Sequence, residues 1–120
     1  MDLNDLRVYQ QSMDIGERIW PAVNRWSYFT KDTVGKQLIR SADSIAANIS
    51  EGFGRYHYAE NRQFGFYARG SLYETRTWLK KAQERNLVPE REAEALQHDL
   101  DRLARALNAY IRSIGPTHDQ

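Results

Sequence analysis

The sequence predicts an all-α chain folded as an antiparallel up-down-up-down four-helix bundle. Three observations carry this. Four stretches repeat apolar residues at spacings of three and four, turn-forming residues separate most of them, and no stretch alternates apolar with polar residues as a strand does. Such spacing puts the apolar side chains on one side of each helix, and four such faces can close on a common core. At 120 residues the chain has the size of one domain, 1–120, with residues 116–120 expected to be a flexible tail.

The first face is Leu6, Tyr9, Met13, Gly16, Trp20 and Val23, with Asn4 expected as its N-cap. Pro21 removes a backbone donor, which predicts a kink or an early end there and makes Arg25 to Phe29 the connection. Thr30 is expected to cap the second helix, with Phe29 and Val34 placed to staple across it. Val34, Leu38, Ala42, Ile45 and Ile49 form the second face, and Gly52 offers a positive φ to end it near Glu51. The third face runs through Phe64, Tyr67, Ala68, Ser71, Leu72, Trp78, Leu79 and Ala82, and Asn86 can close that helix in the left-handed conformation. Pro89 fits the first turn of a fourth helix, whose face is Leu96, Leu100, Leu103, Leu107, Tyr110, Ile111 and Ile114 before Gly115 and Pro116 stop it.

Hydrophobic residues at 41% and charged residues at 28% give the balance of a soluble globular protein. The opening Met1 to Asp5 lacks the basic start and apolar run of a secretory signal, and no later stretch approaches a membrane span, so the expected location is the cytoplasm. With no cysteine, disulfides and thiolate chemistry are excluded. His57, His98 and His118 are scattered and form no Glu-x-x-His pair, so no metal site is expected. Without a Gly-rich phosphate loop or a serine elbow, neither an enzymatic activity nor a cofactor is expected.

Two sets of residues stand out. Arg40, Ser44 and Asn48 are four apart beside the Ile45 and Ile49 stripe, and the third helix answers with Ser71 and Glu74. Together with Glu51 they could grip an anion or move protons, and a small hydrolase using Glu51 or Glu74 is the weaker reading. The stronger one is a structural polar seam of Arg40, Ser44, Asn48, Glu51, Ser71 and Glu74, pairing across the two middle helices and fixing their register. The second set lies in a chain whose net charge is only +1. Arg62, Arg69 and Arg76 recur every seventh residue, with Lys80 four further on. With Arg55 and Lys81 they are the nucleic-acid-binding candidates, against the plain reading of a solvated helix face. Phe53, Tyr56, Tyr58, Tyr67 and Tyr73 could stack on bases, but fit a subunit interface better in so small a bundle.

Several of these runs also carry a resemblance: Leu6 Arg7 Val8 Tyr9 Gln10, then Gln37 Leu38 Ile39 Arg40 Ser41 Ala42, then Ser44 to Gly52 with Arg55, and Gly70 Ser71 Leu72 with Glu74. Over nearly its whole length the chain resembles the four-helix bundle proteins encoded by intervening sequences within bacterial large-subunit ribosomal RNA genes. The resemblance implies a bundle that assembles into a homopentameric ring with no established enzymatic activity. It also allows a nucleic-acid role, since a distantly similar bundle serves reverse transcriptases of diversity-generating elements through a positively charged ring surface. Pro21 and the Trp26 to Phe29 connection depart from the family pattern and bear on the first turn. The expectation is therefore a non-enzymatic homo-oligomer, a pentamer, that binds RNA or DNA or a ribonucleoprotein through a basic surface. The alternative is a protein-interaction scaffold or adaptor ring without nucleic-acid binding.

Overall fold

A computed structural model describes residues 1–116, all of them helix, turn or connecting chain, with no strand among the described residues. The expectation of a flexible tail at 116–120 falls largely on 117–120, outside the described residues. Helix α1 is Arg7–Asn24. Helix α2 is a continuous rod made of Tyr28–Thr30, a π-helical stretch Lys31–Gly35, and Lys36–Phe53. Helix α3 is Tyr58–Glu84 and α4 is Glu90–Ser113.

Cross-helix contacts fix the directions. Gly16 approaches Asp43 while Gly35 approaches Val23, so α1 and α2 run oppositely. Arg18 and Arg25 reach Asp99 and Glu92, so α1 and α4 do too. Arg62, Arg69 and Arg76 meet residues 114, 108 and 101 in descending order, the signature of an antiparallel α3 and α4. Only 54–57 separate α2 from α3, which leaves room for nothing but a reversal. The helices form a square in which α1 lies beside α2 and α4, and α3 beside α2 and α4.

One apolar cluster fills the square. Ile45, Leu72, Leu79, Leu100, Leu103 and Leu107 have no exposed surface at all. Burying a side chain of this size stabilises the fold by about 1.5–3 kcal/mol each, against the entropy of ordering the chain. The three fully buried polar residues bond within their own helices: Ser12 donates to the Val8 carbonyl, Ser41 to that of Leu38, and Thr75 to that of Ser71, whereas Gln11 Oε1 and the Tyr110 hydroxyl are buried without a partner among the described residues.

The ends of the helices correct four expectations. Asn4 is not the first cap: Asp2 caps a short 3-10 turn, Leu3–Asp5, in a capping box with Asp5, and Leu6 precedes α1. Pro21 does not end α1, which runs on to Asn24 with Pro21 on its exposed side. Thr30 is helical and Ser27 precedes the helix; Phe29 is 73% exposed, so no staple forms over Val34. Gly52 is helical, and α2 runs on to Phe53. Its hydrogen is required for another reason: a Cβ there would stand 2.8 Å from Phe64 Cβ and 3.0 Å from the Asn61 carbonyl oxygen, so α2 and α3 touch where they leave the turn.

The other end of α3 is as the sequence reads. Asn86 takes φ 59°, its amide donates to the Gln83 carbonyl, and the Leu87 amide donates to that of Ala82, the paired bonds of a Schellman closure. Pro89 sits one residue earlier than expected, immediately before α4. Trp26 then joins the two connections, its indole N–H donating to the Leu87 carbonyl at 2.8 Å.

Candidate nucleic-acid interface

The polar seam between α2 and α3 does not form. Among the described residues no hydrogen bond or ion pair joins Arg40, Ser44, Asn48 or Glu51 to Ser71 or Glu74. Asn48 donates to the Ser44 carbonyl on its own helix, Glu51 pairs with Arg55, and Glu74 accepts from the Trp78 indole. Arg40, Glu51 and Glu74 are exposed. The cause is angular. Arg40 follows Leu38 by two residues and Glu74 follows Leu72 by two, which is about 200° round a helix and therefore away from the core.

The basic stripe is real but faces inward along one flank. Arg76 lies four residues after Leu72 and Arg69 three before it, each about 40–60° from the core direction and on the side of α4. Arg62 donates to the Ile114 carbonyl at 2.9 Å, Arg69 to Asn108 Oδ1 at 3.0 Å, and Arg76 pairs with Asp101 at 2.8 Å. The Arg69 and Arg76 guanidiniums also stack over Phe66 and Tyr73 of α3 itself. Arg55 is held between Glu51 and Glu60 and lies over the Phe64 ring. Of the six candidates only Lys80 and Lys81 are exposed without an ion pair among the described residues.

The chain matches the family model of the 23S rRNA-intervening sequence protein over residues 4–109. It belongs to that family. Its fold is also that of a protein of unknown function from the S23 ribosomal protein family of Bacteroides thetaiotaomicron VPI-5482, solved by crystallography. The two share 23% identity and a TM-score of 0.78, over 88% of this chain and 98% of the other. No curated protein matches it.

The outer face of α3 is the other notable surface. Phe66, Tyr67, Gly70, Tyr73, Thr77, Lys80 and Lys81 fall within about 140° of the helix circumference, and all are exposed. Phe66 is 43%, Tyr67 49% and Tyr73 51% exposed. Gly70 stands among them with nothing within 4 Å of where a Cβ would be, so its small size serves no contact inside the chain. A glycine here makes the helix about 1 kcal/mol less stable than alanine would. Of the aromatics singled out in the sequence, Phe53 is half-buried against the core, whereas Tyr56, Tyr58, Tyr67 and Tyr73 are exposed as an interface requires. Phe66 belongs with them and was missed, although it is seven residues from Tyr73 on the same row; Trp20, expected on the first apolar face, is exposed as well.

No helix is long and apolar enough to cross a membrane, and no group of three or more metal-ligating side chains gathers, among the described residues.

Proposed function

We propose that this protein is a non-catalytic cytoplasmic assembly unit: copies join, as a pentameric ring, and the assembly binds nucleic acid or a ribonucleoprotein. The observation that carries this reading is the outer face of α3, aromatic around Gly70 and basic at Lys80 and Lys81. Exposed aromatics beside a residue without a side chain suit close approach of a neighbouring subunit, since aromatic residues are enriched in interface cores. A contact between that face and a different face of the next copy closes into a ring when the rotation relating the copies is a whole fraction of a turn, one fifth for a pentamer.

The basic end supports the second half. A shallow groove between α3 and α4, lined by Tyr73, Arg76, Thr77, Lys80, Gln83 and Gln97, offers a ring, the Lys80 cation and two amides beside an Arg76 already paired with Asp101. Such a groove fits phosphates and base edges, and a ring would repeat it once per subunit. The names of the family and of the Bacteroides protein, both tied to ribosomal components, point the same way.

The exposed aromatics favour one alternative, a scaffold ring presenting that face to another polypeptide. Salt separates the two. Affinity for RNA or DNA measured over a salt series should fall steeply, and the Lys80→Gln/Lys81→Gln protein should show a shallower slope. A partner bound with a flat salt profile supports the scaffold instead.

A further inference from the structure

On the opposite side of the bundle, α1 and α2 enclose an open cleft of about 390 Å³. Its apolar floor is Val23 and Ile39, and Trp20, 57% exposed, forms one wall. Lys31, Lys36 and Arg40 stand along the α2 side, Asn24 closes one end, and no acidic residue lines it.

The π-helical stretch arranges the three cations. In an α-helix residues 31 and 36 would point about 140° apart. Here the Lys36 amide donates to the Lys31 carbonyl, the five-residue bond of a π turn, which underwinds the chain and brings Lys31 and Lys36 round to line the same cleft. Arg40 follows four residues later on the same row. The result is three positive side chains lining one cleft beside an exposed indole. Lys36 is shared with Asp32 at 3.0 Å, whereas Lys31 and Arg40 have no ion pair among the described residues. Lys31 is half-buried in the cleft, unlike Lys36, Lys80 and Lys81, which are exposed.

We propose that this cleft binds single-stranded nucleic acid, an unpaired base stacking on Trp20 while successive phosphates follow Lys31, Lys36 and Arg40. Every base has a face that can stack on an aromatic ring, and stacking tolerates sequence. The Asn24 amide offers a donor and an acceptor to a base edge. A duplex keeps its base faces stacked on one another and cannot offer one to Trp20, so the cleft selects unpaired strands. This rests on the reading that the protein binds nucleic acid, but assigns it to a surface distinct from the α3–α4 groove.

The test is binding of labelled oligouridylate and oligothymidylate, with a duplex of the same length as competitor, to the full assembled protein. Four proteins are compared: wild type, Trp20→Leu, Lys31→Gln/Arg40→Gln, and Lys80→Gln/Lys81→Gln. Single strands of either sugar should outcompete duplex. Trp20→Leu should weaken binding about tenfold. Lys31→Gln/Arg40→Gln should reduce the salt slope by about 1.4. Both variants should keep the wild-type mass in light scattering. Binding by wild type that is untouched in both cleft variants overturns the site and leaves the proposed function standing. Wild type that binds neither strand nor duplex overturns both. Preference for duplex, or a Trp20→Leu protein of lower mass, overturns the cleft assignment, the latter because a second copy then occupies it.

Discussion

Arg76 is tied to α4 at both ends: its guanidinium Nη2 lies 2.8 Å from Asp101 Oδ1, and its backbone carbonyl accepts from Gln97 Nε2 at 3.2 Å. With Arg62 and Arg69 it makes a ladder along α3 whose rungs land on Ile114, Asn108 and Asp101. The Arg76 and Asp101 side chains are 35% and 45% exposed, so solvent screens the pair. Its contribution should be about 0.5 kcal/mol, and a double-mutant cycle between Arg76→Ala and Asp101→Ala, read by urea unfolding, should return a coupling of that size. A coupling of zero would mean the pair is incidental.

Gly52 and Gly70 should respond in opposite ways to the same substitution. Gly52→Ala forces a methyl against Phe64 and the Asn61 backbone and should destabilise the chain by about 1–3 kcal/mol despite the better helix former. Gly70→Ala meets nothing inside the chain and should stabilise an isolated subunit by up to about 1 kcal/mol. Gly70→Arg, still accommodated by the open surface, should instead split the assembly while leaving the circular dichroism helical. An unchanged mass for Gly70→Arg would move the subunit contact elsewhere.

The apolar faces of α2, α3 and α4 were largely legible because burial depends on angle, and angle follows from spacing: Leu38, Ile45, Leu72, Leu79, Leu100 and Leu107 are all fully or almost fully buried, although Tyr67 of the expected third face is exposed. The face of α1 was partly misplaced: Met13 and Trp20 are exposed, and Val8, Ser12, Ile15 and Ile19 turn to the core instead. Asn86 was legible because few residues adopt a left-handed backbone. The same angular reasoning, applied to polar residues, would have placed Arg40 and Glu74 outside and the arginine ladder toward α4. What misled was treating four-residue spacing within a row as evidence of where the row points. Gly52 is harder, since a glycine fits either a positive φ or a close approach, and only the position of Phe64 decides. The π turn at Lys31–Gly35 leaves no periodic mark in so short a stretch, so the three cations beside Trp20 could not be read as one group before the backbone was known.

Trp26→Phe should lower stability by about 1 kcal/mol, because the substitution keeps most of the ring packing and removes the indole donor to the Leu87 carbonyl. Urea midpoints of the two proteins measure it. Equal midpoints would show that the bond between the two connections contributes nothing.

Asp43 should make stability depend on pH. A Cβ on Gly16 would come within 2.9 Å of Asp43 Oδ1, which places the carboxyl against α1. Partial desolvation there, and secondarily the charge of Glu17, raises its pKa above the ordinary value of 3.8. The folded chain thus holds the proton more tightly than the unfolded one. The resulting stabilisation is full below 3.8 and is lost as pH rises through the raised value. Asp43→Asn, which cannot ionise, should be more stable than wild type at neutral pH and lose that advantage in acid. Urea unfolding across the pH range checks it; a variant less stable at neutral pH would mean the ionised carboxylate has a favourable partner.

Assembly is the claim on which the surface readings depend, and the mass of the purified protein in solution tests it most directly. Multi-angle light scattering at physiological salt should return a multiple of the 14.0 kDa chain, fivefold for the pentamer. A mass of one chain, holding as concentration rises, would contradict it and leave the aromatic face of α3 without a subunit to cover it.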